Sequence, residues 1–386
     1  LGAAVAAPRL SANPSTGALV RVGLTAELRM ASSTSDDAIS LGLSLAMQDI
    51  NARGGVLAAR PLLLEVRDDR SVPSRGVENL KAFAEMPDLV AVFGSRFSPV
   101  LVDMAREAGA VRCPVFSVWG AANQVLDPRR QPDWAFRVSL NDAWAMRALL
   151  KAAHDDKVQR VGLLLPNTGW GRSCHESVEA IKAQFRGLEV LPVRWYNWGG
   201  ERSLIDHVIQ LRQQGMQSLV LVSNEPEASV LCKEMLARPA GLRVPVYSHW
   251  GIAGGDFPAL VGEGLRELDL RVVQTTALGL DRSPRGASLL QRAAQAMKVA
   301  DPRRVPSLVG LGHAYDAMHL LAAAVDRSRG TDRGAVRDAL ENLPPIDGVV
   351  RRYAPAFTAQ RHEALSESDV IMARWDEGGR LHRLDA

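Results

Sequence analysis

From Leu19 onward, short runs of consecutive apolar residues alternate with longer stretches whose apolar positions recur every three or four residues. The first run, Leu19–Thr25, predicts a strand. Ile39, Leu43, Met47 and Ile50 then share one face of a helix that Gly54-Gly55 ends. Leu62–Val66 and Leu89–Phe93 predict two more strands, with a helix from about Pro73 to Glu85 between them. A helix from Pro99 to Ala110 leads into a short strand at Val115–Val118. Uninterrupted apolar strands separated by helices of about 10–15 residues mark βαβ units and a parallel sheet covered on both faces.

The alternation restarts after residues 138–142. Helices are predicted over Ala143–Ala153, Gly171–Phe185, Leu204–Gln213 and Glu225–Leu236. Strands are predicted at Val161–Leu165, Leu188–Val193, Leu219–Val222, Val244–Tyr247 and Val272–Ala277. Three helices without intervening strands follow, over Arg285–Ala300, Leu308–Arg327 and Arg333–Asn342, and then a clear strand at Val370–Trp375. In the middle helix, Leu311, Tyr315, Met318, Ala322 and Val325 line one face. Such a remainder makes a poor independent domain and is expected to complete the two earlier units. The pattern therefore predicts an α/β protein with two doubly wound parallel-sheet lobes. An N-terminal lobe is expected from 19–139 plus 278–347, and a C-terminal lobe from 140–277 plus 348–386, with crossings near 139, 277 and 347.

A length of 386 residues agrees with two lobes, since single cores usually stop growing well below that size. A net charge of +3 with no run of five basic residues disfavours a nucleic-acid partner. Cys113, Cys174 and Cys232 form no CxxC and have no His at metal-ligand spacing, so buried thiols and no metal are expected. No uninterrupted apolar run reaches 18 residues, so no membrane span is expected. Residues 1–18 read as a tail, and Ala4-Val5-Ala6 looks like the small-residue end of a signal peptide, which predicts export.

Catalytic signatures are missing: GxSxG, HExxH and GxxxxGKS/T do not occur. The turn after the first strand, Thr25–Ser33, contains no glycine, whereas a dinucleotide pyrophosphate needs one for close backbone approach. Neither an enzyme nor a bound cofactor is expected. Asp36-Asp37 and Asp68-Asp69 read as a helix cap and a strand-end turn, and His249 as a structural residue. The strand exits carry more information, because doubly wound sheets bind ligands outside the carboxyl ends of their strands. These exits read Gly94-Ser95-Arg96-Phe97-Ser98-Pro99, Ser117-Val118-Trp119-Gly120-Ala121-Ala122, Pro166-Asn167-Thr168-Gly169-Trp170-Gly171, Ser223-Asn224-Glu225-Pro226 and Ser248-His249-Trp250-Gly251. Three tryptophans at equivalent exits predict a shared aromatic pocket rather than three local packings.

These segments resemble the type I periplasmic solute-binding proteins, closest to the branched-chain amino acid (leucine/isoleucine/valine) branch of the ABC transporter receptors. The likeness rests on Ala46–Val56, Leu62–Asp69, Val90–Ser98, Pro114–Ala122, Gly162–Gly171 and Ser223–Glu227 and spans roughly 20–380. It implies two lobes joined by three crossover strands and capture of a small-molecule ligand by hinge closure in the periplasm. A membrane permease of an ABC transporter is the implied partner. Carried over by position, Ser98, beside Phe97, falls where the family holds a ligand carboxylate. Trp119, Gly120 and Ala121 fall on the loop that receives the same group. Trp170 and Asn224 fall where the opposing lobe often carries tyrosines.

Three departures bear on the cargo. Trp250 stands where amino acid binders place the acid that pairs the ligand ammonium, and Glu225, one residue from the expected position, is the alternative acid. Glu27-Leu28-Arg29-Met30 replaces a Gly/Ser-rich turn, which makes Arg29 and Arg96 candidate carboxylate partners, although both are more often surface residues. The family's frequent early disulfide has no cysteines here. The expected ligand is a carboxylate with an aromatic or otherwise apolar body. An amino acid or amide ligand, or a ligand-sensing regulatory role for the same fold, are the alternatives.

Overall fold

A computed structural model describes residues 19–28, 34–199 and 202–384. The tail, the signal-like segment and Arg29 lie outside the described residues. Among the described residues, the first sheet comprises β1 (Val20–Ala26), β2 (Leu62–Asp68), β3 (Leu89–Phe93), β4 (Val115–Ser117) and β5 (Ala135–Arg137). They run parallel in the order β2-β1-β3-β4-β5. Helices α1 (Thr34–Ala52), α2 (Pro73–Ala84) and α3 (Ser98–Ala108) make the crossovers. β3 is buried throughout, whereas β2, at the edge, exposes Leu63 and Val66. β5 was not predicted: three residues carry too little periodicity to register.

The second sheet repeats this winding. Helix α4 (Asp142–Asp155) precedes β6 (Arg160–Pro166), α5 (Gly169–Ile181), β7 (Glu189–Val190) and β8 (Arg194–Tyr196). Then come α6 (Ile205–Gln213), β9 (Ser218–Leu221), α7 (Glu225–Leu236), β10 (Val246–Ser248), α8 (Phe257–Val261) and β11 (Leu270–Thr275). The strand expected at Leu188–Val193 is instead two short strands, both paired with β6. β9, β10 and β11 continue the sheet on the other side of β6. In each sheet, then, the first strand lies between its second and third, and the crossover helices turn opposite ways on its two sides. That is the topological switch point, where a crevice opens at the carboxyl end of the sheet. Helix starts fix the exits there: Asn141 caps α4 by accepting the Trp144 N–H, and Thr168 caps α5 by accepting the Gly171 N–H.

The remaining elements join one sheet or the other. Helices α9 (Pro284–Met297), α10 (Leu308–Ser328) and α11 (Arg333–Leu340) return to the first sheet, and α10 packs along α1. Gly42 makes that approach possible, since a Cβ there would stand 2.4 Å from the Leu311 carbonyl oxygen. By length and composition α10 is long and apolar enough to cross a membrane, but it is a buried core helix. A hairpin, β12 (Ile346–Asp347) and β13 (Arg352–Tyr353), follows. Its turn is tied to α10 by Asp316, which accepts the N–H groups of Val349 (2.7 Å) and Val350 (2.9 Å) and the Tyr353 hydroxyl (2.9 Å). The chain ends on β14 (Val370–Trp375) and β15 (Leu381–Arg383), which extend the second sheet in antiparallel sense beyond β11. The chain thus passes between the sheets after β5, after β11 and after α11.

Candidate functional site

The two switch points face each other. Loops following β3, β4, β6, β8, β9 and β10 converge on one small cavity lined by Arg96, Phe97, Ser98, Trp119, Ala121, Trp170, Trp198, Asn224 and Trp250. Seven of the nine residues expected at the site are in this wall. Gly120 is not: a Cβ there would meet Leu101 at 2.3 Å, so the position serves the packing of its loop. Glu225 stands one layer out, on Arg96. Trp198 is the residue that sequence reasoning missed. It follows β8, and it went unread as a strand exit because no separate strand was predicted at 194–196. The signal was present in Trp198-Gly199-Gly200, an aromatic at a glycine-rich turn.

The aromatic rings pack on one another across the gap. Trp119 from the first half and Trp250 from the second are 5.3 Å apart at their centroids and tilted by 34°. Phe97 meets Trp198 edge-on at 5.8 Å, and Trp170 lies 6.1 Å from Trp198. Trp250, Trp119 and Trp170 keep only 1%, 3% and 6% of their surface exposed. Gly251 gives Trp170 its seat, since a Cβ there would lie 2.8 Å from the indole and 2.3 Å from the Ser223 carbonyl oxygen. The interior leaves about 10 Å³ for the centre of a water-sized sphere, room for a single water. The conformation is closed, and a ligand enters only if the halves part. A larger hollow of about 730 Å³ lies against Trp134 and Arg337, before β5 and so at the amino ends of the strands. Two of its arginines are already engaged, Arg129 by Asp127 and Arg337 by Asp338 and Glu341.

The polar groups around the cavity are unevenly satisfied. Arg96 Nη1 donates to both Glu225 carboxylate oxygens, at 2.8 and 3.1 Å, and to Ser35 Oγ at 3.3 Å, while Glu27 stands 3.9 Å from Nη2. The Arg96–Glu225 pair bridges the two halves and is almost wholly buried. Asp36, expected to cap α1, instead accepts the backbone N–H groups of Glu27 and Arg96 (2.9 Å each) and so fixes the loop carrying Arg96. Burial pushes its carboxyl up to about 7 against the pull of Arg96. Ser98 Oγ accepts the N–H groups of Ala121 (3.1 Å) and Ala122 (3.2 Å), so these donors are spent within the protein. Two lining groups have buried donors without an acceptor, Arg96 Nε and Trp198 Nε1.

Beneath the wall, Asp142 Oδ1 accepts from Trp170 Nε1 (3.1 Å) and bonds His249 Nε2 (3.2 Å). Asp142, Cys174 and His249 bring ligand-type atoms within 4.8 Å of one another. Burial, with the Asp142 carboxylate beside it, pushes the Cys174 thiol well up, and Asp142 anchors the Trp170 indole. His249 is fully buried, and its ring meets Trp170 edge-on at 4.9 Å.

His313 of α10 ties the two halves from behind the cavity. Its Nδ1 contacts the Val118 carbonyl at 3.3 Å, its Nε2 contacts Thr275 Oγ1 at 3.0 Å, and its ring lies 5.9 Å from Trp250. The carbonyl requires Nδ1 to carry the proton, while Nε2 faces a hydroxyl that can donate or accept. Burial lowers its pKa from 6.5 to about 4. The unfolded chain therefore takes up a proton below pH 6.5 that the folded chain takes up only near 4, and stability is lost as pH falls through that window. Between pH 7 and 5 the wild type is expected to lose about 2 kcal/mol more than His313→Gln. Urea unfolding of both proteins at the two pH values checks this, and equal losses would refute it.

Comparison with known proteins decides the family. The profile described as "Periplasmic binding protein" matches residues 20–380. The chain belongs to the periplasmic binding protein family. A Leu/Ile/Val-binding protein homologue of Brucella melitensis is 20% identical over 365 residues, covering 93% of this chain and 92% of that protein. A leucine-binding protein of Thermotoga maritima superposes with a TM-score of 0.78 at 13% identity, covering 95% of this chain and 98% of that one. A solute-binding protein of R. palustris in complex with benzoate gives 0.77 at 16% identity, covering 95% and 96%. Periplasmic binding proteins are solute-binding receptors of the ABC transporter type, and the fold here is their type I form: two doubly wound lobes with a cleft between them.

Proposed function

We propose that this periplasmic binding protein is the extracytoplasmic receptor of an ABC importer and captures a small carboxylate with an aromatic or apolar body. The cavity carries the reading. Four tryptophans and Phe97 supply an apolar wall, and a buried guanidinium lies at its rim. The lobes, 19–139 plus 278–347 and 140–277 plus 348–386, would part about their three crossings, admit the ligand and close on it, and a membrane permease would read the closed form. The amino acid binders' acid is replaced by Trp250, and a buried ammonium without a counter-charge costs several kcal/mol. The benzoate complex of the R. palustris relative fits this class of cargo.

Glu225 and Glu27, both beside Arg96, favour a second reading, in which an amino acid or amide ligand presents its nitrogen to one of them. Calorimetric titration of ligand-stripped protein separates the two. Benzoate or phenylacetate is expected to bind with one-to-one saturation and leucine to give no heat above dilution. Tight leucine binding with silent aromatic acids would overturn the first reading.

A further inference from the structure

We infer that the ligand's acid group is held by Arg96 and Trp198, and that Glu225 is its resident competitor. The inference rests on the carboxylate reading above and moves the anchor away from Ser98. The donors of the Ser98 loop are not free. Ser98 Oγ takes both the Ala121 and Ala122 N–H groups, so an acid binding there must break two bonds already made. Arg96 Nε–H and Trp198 Nε1–H are the opposite case. Both atoms are buried, both belong to residues lining the cavity, and neither has an acceptor. A buried donor without a partner is costly, so the group that completes this site is one rich in acceptors. The two side chains flank the same ring: the Arg96 guanidinium lies 4.6 Å above Phe97, and Trp198 meets that ring edge-on. A guanidinium edge and an indole N–H in the wall of one cavity suit a carboxylate, whose two oxygens accept charge-assisted bonds.

Glu225 occupies the other edge. Both its oxygens sit on Arg96 Nη1, from the opposite half of the molecule. It bridges the cleft by standing where an anion is attracted, and an incoming acid shares the guanidinium with it. Ligand affinity is therefore set by a competition between two carboxylates.

The test uses the full-length protein, benzoate as the probe and benzyl alcohol as the same body without the acid. Arg96→Lys keeps the charge and removes Nε–H, and Trp198→Phe keeps an aromatic ring and removes the indole N–H. Each is expected to weaken benzoate about ten-fold or more, the factor for one lost charge-assisted bond, with benzyl alcohol unaffected. Glu225→Gln keeps an acceptor and removes the competing charge, and it is expected to tighten benzoate. Thermal unfolding checks that every variant is folded. Wild-type benzoate affinity in folded Arg96→Lys and Trp198→Phe overturns the assignment and leaves the carboxylate reading standing. Loss of benzoate binding in Glu225→Gln overturns it as well, by making Glu225 a ligand contact. A wild type that binds neither benzoate nor phenylacetate sinks both the reading and the inference.

Discussion

Trp250→Ala is expected to lower stability by about 3–5 kcal/mol, the range for truncating a large buried aromatic. The ring is all but fully buried and touches elements from both halves: Trp119 at 5.3 Å, His313 at 5.9 Å and the neighbouring His249 at 6.2 Å. Removing it leaves a hollow between rigid elements that cannot collapse, because Trp119 is held by its own loop and His313 by Val118 and Thr275. The same substitution removes one wall of the cavity, so ligand affinity falls with it. Urea denaturation and calorimetry on the one variant separate the roles. A loss below about 1 kcal/mol would mean that the ring is loosely packed and serves the ligand alone. A full loss of stability with unchanged affinity would make it a core residue only.

Asp316→Ala is expected to cost about 3–5 kcal/mol as well, through stranded donors rather than lost volume. The Val349 and Val350 N–H groups and the Tyr353 hydroxyl, all on buried residues, end on this buried carboxylate. Gly348 is pressed against it, with room for no Cβ: one would fall 2.2 Å from Oδ2. Burial raises the Asp316 carboxyl to about 6 even with three bonds holding it down. Asp316→Asn is expected to lose less than the alanine variant, since its amide oxygen still accepts while its NH₂ faces a donor. Because this turn begins the third passage between the sheets, the alanine variant should also loosen the relation of the two halves. Guanidinium unfolding gives the stabilities, and hydrogen exchange at residues 349–353 reports the local release. Protection unchanged there in the alanine variant would refute the role assigned to Asp316.

The sequence placed most elements to within a few residues, and the reason is local. A strand buried on both faces must be apolar at consecutive positions, and a helix covering it must repeat its apolar positions every three to four residues. Leu89–Phe93, buried at every position, and Glu225–Leu236 carry that imprint. β5 and the split pair β7 and β8 do not: at two or three residues each, they are held by what lies beside them, not by a pattern of their own. The tryptophans were readable as a group because their strand exits were, and Trp198 was lost along with its strand.

What the sequence determined alone, therefore, is the tandem α/β winding and the convergence of the strand-exit loops that makes a cleft. Hydrophobic burial is written into each element separately, and the ligand-facing ends follow from strand direction. Which polar atoms are spent and which are vacant was decided only by the tertiary structure. Arg96 and Glu225 are 129 residues apart, and nothing near either one marks the other as its partner. Ser98 was expected to face a ligand carboxylate, and only the fold brings the Ala121 and Ala122 N–H groups onto its oxygen. A hydrogen bond depends on distance and angle to one particular atom, and that is fixed only when the two halves close on each other.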